Sequence, residues 1–154
     1  MAFGYQQSVT LYNKAAIPGD RANQQPTIYA PINFTAGEGV NVGGFVWRDT
    51  TDENKVNGSG TGAPLGFMER VQNFPNYTLN SDGTLAVPEN SEVNVAIQGD
   101  FFVVADAAVS VGDTVYADTT TGAVTFTSGD DTVDTGFKAF TSGASGDMVI
   151  ITKR

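Results

Sequence analysis

Residues 92–98 read EVNVAIQ and, after Gly99, residues 100–105 read DFFVVA. In the first run Val93, Val95 and Ile97 fall on one side of an extended chain, with Asn94 and Ala96 on the other. A period of two predicts a β-strand with one face buried and one wet. The neighbouring Phe101 and Phe102 sharpen this expectation. One ring must point away from whichever face is buried, and if exposed it marks a contact surface or a second packed sheet.

Working outward, similar short runs recur. They are residues 44–49 (GFVWRD), 64–70 (PLGFMER), 76–79 (NYTL), 114–117 (TVYA), 123–127 (AVTFT), 136–140 (GFKAF) and 147–152 (DMVIIT). In the fifth, Val124 and Phe126 oppose Thr125 and Thr127. Turn signals separate the runs. Asn80-Ser81-Asp82-Gly83 and Thr119-Thr120-Thr121-Gly122 both read as hairpins, the second as the tightest in the chain. Residues 50–63 carry charge and then three glycines in six positions, which predicts an exposed, mobile loop. No run has the 3.6-residue period of a helix. Short strands with turns between them predict an all-β fold, a jelly-roll-like sandwich or barrel.

Composition agrees with this class and narrows the chemistry. The 154 residues suit one domain. Only 16% are charged, so neutral polar groups and glycine must cover much of the surface. The net charge of −9 comes from 17 acids and 8 bases with no Lys/Arg run, which argues against nucleic acid and against an anionic membrane surface. No apolar stretch approaches the ~20 residues of a membrane-spanning helix. The start, MAFGYQQS, lacks the basic and apolar regions of a secretory signal, so none is expected.

The sequence contains no cysteine and no histidine. Disulfides and thiolate chemistry are therefore excluded, and with histidine goes the commonest general base and transition-metal ligand. For a Ser–Lys pair, none of Lys14, Lys55 and Lys138 sits in a recognisable motif. The glycine-rich stretches at 37–39 and 58–62 lack phosphate-loop spacing and its lysine. The acidic clusters at 49–53 and 130–134 do not fit a calcium loop and read as solvated loop tips. No catalytic residue, metal or cofactor is expected.

The first thirty residues differ from the rest. They carry a balance of +1, from Lys14, Arg21 and Asp20, whereas residues 31–154 carry −10. Pro18, Pro26 and a Gly19-Asp20 turn signal disfavour continuous helix. Residues 1–30 are therefore expected to be an extended N-terminal arm and residues 31–154 a single β domain. Fully extended, such an arm reaches ~100 Å and can cross to a neighbour. Aromatic and aliphatic anchors favour interfaces, so Tyr5, Val9, Leu11, Tyr12 and Ile17 are the expected partner contacts, with Lys14 and Arg21 pairing with acidic groups. The alternative is an arm folded back over its own domain.

These phrases, taken in order, resemble a known family. The order is residues 4–9, 16–21 (AIPGDR), 39–49 (GVNVGGFVWRD), 58–67 (GSGTGAPLGF), 112–118 (GDTVYAD), 121–126 (TGAVTF) and a closing strand over 146–151. Together they look like the capsid cement, or decoration, proteins of tailed bacteriophages. The resemblance implies a non-enzymatic virion protein on the outer surface of an icosahedral head, assembled in the host cytoplasm. Its implied partner is the major capsid protein, whose neighbouring subunits it ties together, and it brings no catalytic residue. A homo-oligomer, dimer or trimer, would suit bridging on a symmetric lattice. A carbohydrate-binding or adhesion module of a phage tail or cell surface is the rival. It requires exposed coplanar aromatics on the body, such as Trp47 or Tyr77.

Overall fold

The computed structural model describes residues 16–71 and 77–154. These residues form thirteen strands and no helix: β1 (Ile28–Tyr29), β2 (Phe34–Ala36), β3 (Phe45–Arg48), β4 (Lys55–Asn57), β5 (Gly66–Phe67), β6 (Thr78–Leu79), β7 (Leu85–Ala86), β8 (Glu92–Val93), β9 (Ala96–Val104), β10 (Thr114–Asp118), β11 (Val124–Thr125), β12 (Thr132–Ala139) and β13 (Met148–Lys153). Ten of them form one hydrogen-bonded path in the order β11-β10-β12-β13-β9-β5-β3-β4-β2-β8, with β1 added to β9 and β6–β7 standing as a separate hairpin. The all-β class expected from the alternation is the class the chain adopts. Every pairing is antiparallel except β2 with β4.

This path encloses two hydrophobic clusters, and the stretch β3–β5–β9 lies between them. Successive residues of a strand point to opposite faces. Phe45 and Trp47 therefore enter the first cluster while Val46 enters the second, and Phe67 and Met68 divide likewise. Within residues 92–98, Val93, Val95 and Ile97 join the second cluster, as their spacing predicts. Ala96 does not face water but sits fully buried in the first cluster. Phe101 is buried in that same cluster and Phe102 is half-buried on the opposite face. The first cluster centres on four rings from four strands. Phe67 stacks on Phe101 at 4.6 Å between centroids and meets Phe45 edge-on at 5.3 Å, and Phe137 meets Phe45 edge-on at 5.6 Å. Each buried phenylalanine contributes about 1.5–3 kcal/mol by transfer from water, and the offset and edge-on contacts add to that.

Three turns use one local device, Asp-x-Thr. Asp49 accepts hydrogen bonds from the Thr51 amide and hydroxyl, the Asp52 amide and the Asn57 side-chain amide. Asp82 accepts from the Thr84 amide and hydroxyl. Asp118 accepts from the Thr120 amide and hydroxyl and from the Thr121 amide. Hydrogen bonds to the ionised form favour it, so all three carboxyls sit below the usual carboxylate range. The Thr51 amide is the leading cause for Asp49, the Thr84 hydroxyl for Asp82 and the Thr120 hydroxyl for Asp118.

The two expected hairpins are present. Thr78 pairs with Ala86 and Leu79 with Leu85 around Gly83, while Tyr116 pairs with Thr125 and Ala117 with Val124 around Gly122. The region expected to be a mobile loop is different. It contains β4, whose Val56 is fully buried between β2 and β3. Its glycines serve close approach: a Cβ at Gly58 would lie 1.8 Å from the Gly39 carbonyl oxygen, and one at Gly60 would lie 2.3 Å from the Trp47 ring. A run of small residues has the same composition in both roles, and only the neighbouring backbone distinguishes them.

Two predictions follow from the turns. Gly122 has φ +72°, and a Cβ there would meet the carbonyl oxygens of Phe45 and Gly58 at 2.5 and 2.7 Å, whereas Gly83, with φ +85°, has open space around it. Left-handed backbone alone costs about 1–2 kcal/mol for a residue with a Cβ. Gly122→Ala should therefore lose clearly more stability in urea denaturation than Gly83→Ala, and equal losses would show that the close approach does not matter. The turn carboxyls have folded values below their unfolded ones. Their stabilisation is complete above an unfolded value near pH ~3.9 and falls away as pH drops below it. Thermal melts from pH 7 to pH 2 should show a steeper acid-side decline for the parent than for the triple variant D49N/D82N/D118N.

Candidate partner-binding surface

Of the segment expected to form an arm, the described residues 16–30 run along β9. The Gly19 amide donates to the Phe102 carbonyl, the Phe102 amide to Asp20, and the Ala22 amide to Asp100. Farther on, Ile28 pairs with Gln98 and Tyr29 with Ala96. Backbone groups of a free strand edge need partners, and this segment supplies them to β9.

Two buried carboxylates fasten the segment. Glu69, only 7% exposed, accepts from the Arg21 guanidinium at 2.5 Å and from the Tyr29 hydroxyl, and Arg21 also donates to that hydroxyl oxygen. The bond to Glu69 chiefly raises the Arg21 pKa, and burial chiefly raises that of Tyr29, so Tyr29 stays a neutral donor. Asp100, buried to a similar degree, accepts from Asn23, Thr152 and Arg154. Arg154 also reaches the Pro26 carbonyl at 3.4 Å. A third pair, Arg70 with Asp20 at 3.0 Å, is reinforced by the Arg70 amide donating to Gly19. Buried charges are tolerated when paired and hydrogen-bonded in this way.

Of the anchors expected from sequence, Tyr5, Val9, Leu11, Tyr12 and Lys14 lie outside the described residues. Ile17 is described and is 41% exposed. Arg21 is engaged with Glu69 and Tyr29 while remaining 43% exposed. Ile17 and Pro18 border a groove of about 560 Å³ whose other walls include Gly44, Leu85, Val104 and Val124. A second hollow of about 510 Å³ lies between Ala22, Asn23 and Gln25 on one side and Phe140 and Ile150 on the other. Phe140 and Val104 are both exposed apolar residues. Sequence reading did not single them out as contacts; it expected only that one ring of the Phe101–Phe102 pair would point away from the buried face.

The aromatics named for the rival reading are placed otherwise. Trp47 is 4% exposed, belongs to the first core cluster and donates its indole N–H to the Gly62 carbonyl at 2.8 Å. Tyr77 packs against the second cluster and accepts a hydrogen bond from the Val71 amide. Among the described residues no group of three or more acidic side chains is arranged to hold a metal ion. The Asp49 carboxylate, part of one acidic cluster, is taken up by its own turn.

No curated protein matches the chain at a significant level. Among solved structures, a chain from the capsid of Myoviridae phage XM1 superposes with a TM-score of 0.65 at 16% identity, covering 97% of both chains, and so shares the fold. The N-terminal base of the head fibre gp8.5 of bacteriophage phi29 aligns with a TM-score of 0.47 at 15% identity, over 80% of this chain and 93% of that one. A family model described as structural cement protein (E217 gp24/Pam3 gp6) matches residues 5–153. That match takes in nearly the whole chain, and the chain therefore belongs to the family of phage structural cement proteins.

Proposed function

We propose that this protein is a non-enzymatic cement protein that binds the outside of an icosahedral phage head and bridges neighbouring major capsid subunits. The observation that carries the reading is the family match over residues 5–153, which spans arm and body together. The physical chemistry is consistent with it. A chain without histidine or cysteine works by contact area, and its acidic body keeps decorated particles apart. A ligand that binds the assembled shell and not its free subunits stabilises the shell by mass action. If one copy touches two subunits, the second contact becomes intramolecular and gains from a high effective concentration.

In this reading residues 1–30 act in two parts. Residues 16–30 form a root, stitched to β9 and fastened at Glu69 and Asp100. The residues before them carry Tyr5, Val9, Leu11, Tyr12 and Lys14 to the shell, where extended chain can add to an exposed sheet edge. Ile17 contributes at the junction. Arg21 holds the root through Glu69 and keeps further guanidinium donors for a shell carboxylate. Copies form dimers or trimers that match the lattice symmetry.

Removing residues 1–15 tests this division. The cut stops there because Gly19, Asp20 and Ala22 bond to β9. The truncated protein should melt within a few degrees of the full chain, yet co-sediment with purified undecorated heads at least tenfold more weakly. Decoration at full affinity by the truncated protein would overturn the role given to the arm.

A further inference from the structure

Strands β9, β12 and β13 present a second row of side chains on the face turned away from the first core. Opposite residues of antiparallel strands share a face. Ala139, Ile151 and Phe101 make up the buried row, with Ala139 opposite Ile151 and Ile151 opposite Phe101. One residue along, the Phe140 amide donates to the Ile150 carbonyl at 2.7 Å, Ile150 lies opposite Phe102, and Met148 lies opposite Val104. Phe140, Ile150, Phe102, Met148 and Val104 thus form a continuous apolar band. Phe140 is 63% exposed and Val104 42%. Single exposed apolar residues are ordinary, but a contiguous exposed group marks an interaction surface.

At one end of the band Asp100 is paired with Arg154, and exposed Lys138 on β12 donates to the Thr114 hydroxyl; exposed Asp106 and Asp147 flank the other end. The hollow between Phe140 and Ala22–Gln25 is large enough to receive an anchor side chain.

We propose that this band is a second shell contact, separate from the arm, that seats on an apolar surface of a capsid protein. The proposal rests on the cement reading above. Two observations favour the shell over a second copy of this chain. Ile17 and Val104 line the same groove, so the fifteen residues before Ala16 join the body at the end of the band. Fully extended those residues span at most ~50 Å, so whatever they hold lies within that distance of the band. A second copy placed face to face would instead bring two strongly acidic bodies together across a surface with no excess of positive charge to offset them. An arm on one subunit and a band on the next give one copy the two contacts that bridging requires.

The test substitutes Phe140→Asp, with Val104→Asp as an independent second variant. Both side chains are exposed, so each variant should melt close to the parent. Each is measured for co-sedimentation with purified undecorated heads and for its sedimentation coefficient alone. The expected result is at least tenfold weaker head binding by both variants, with the sedimentation coefficient unchanged. Head binding equal to the parent in both variants would overturn the band proposal while leaving the cement reading intact. A fall in the sedimentation coefficient would overturn it too, by assigning the band to contact between copies. A parent protein that fails to bind heads at all would overturn the cement reading itself, and the band proposal with it.

Discussion

The fold depends on a wall of backbone that is buried on both sides. Strands β3, β5 and the start of β9 supply Phe45, Phe67 and Ala96 to one cluster and Val46, Met68 and the adjoining Val95 to the other. The Phe45–Phe67–Phe101–Phe137 contacts join strands drawn from positions almost a hundred residues apart. Because the wall is shared, neither cluster can lose its packing without exposing the back of the other. That gives a chain without disulfides a way to hold two small cores as one unit.

With the wall in place, β9 becomes the organising strand. It pairs with β13 over six residues and with β1 and β5 near its start, and it receives residues 19–22 along its length. The buried carboxylates Glu69 and Asp100 fix that added segment through Arg21, Tyr29, Asn23 and Arg154. Residues 16–30 are thereby positioned by the body. In the proposed role, a segment that starts from such a fixed point loses less entropy on docking than one tethered to a loose linker.

The acidic composition also finds a use. Asp49, Asp82 and Asp118 satisfy the amides of tight turns, so part of the net negative charge is tied to local structure. Glu69 and Asp100 are paired inside the fold, and others, such as Glu53, Asp130 and Asp131, are exposed on loops.

The amino-acid sequence by itself determined the all-β class, the two hairpins at Gly83 and Gly122, and the face shared by Val93, Val95 and Ile97, because alternation and turn chemistry are local properties. The Asp-x-Thr device was equally local, and its recurrence at 49, 82 and 118 was there to be read. Lack of histidine and cysteine bounded the chemistry in the same direct way. Only the tertiary structure decided that β4 runs through an apparent loop, that Gly58 and Gly60 exist for close approach, that Ala96 is buried, and that residues 16–30 lie on β9. Each of those outcomes depends on groups distant in sequence, such as Glu69 for Arg21 and Asp100 for Arg154. A side chain's burial is set by what packs above it, and no local pattern encodes that.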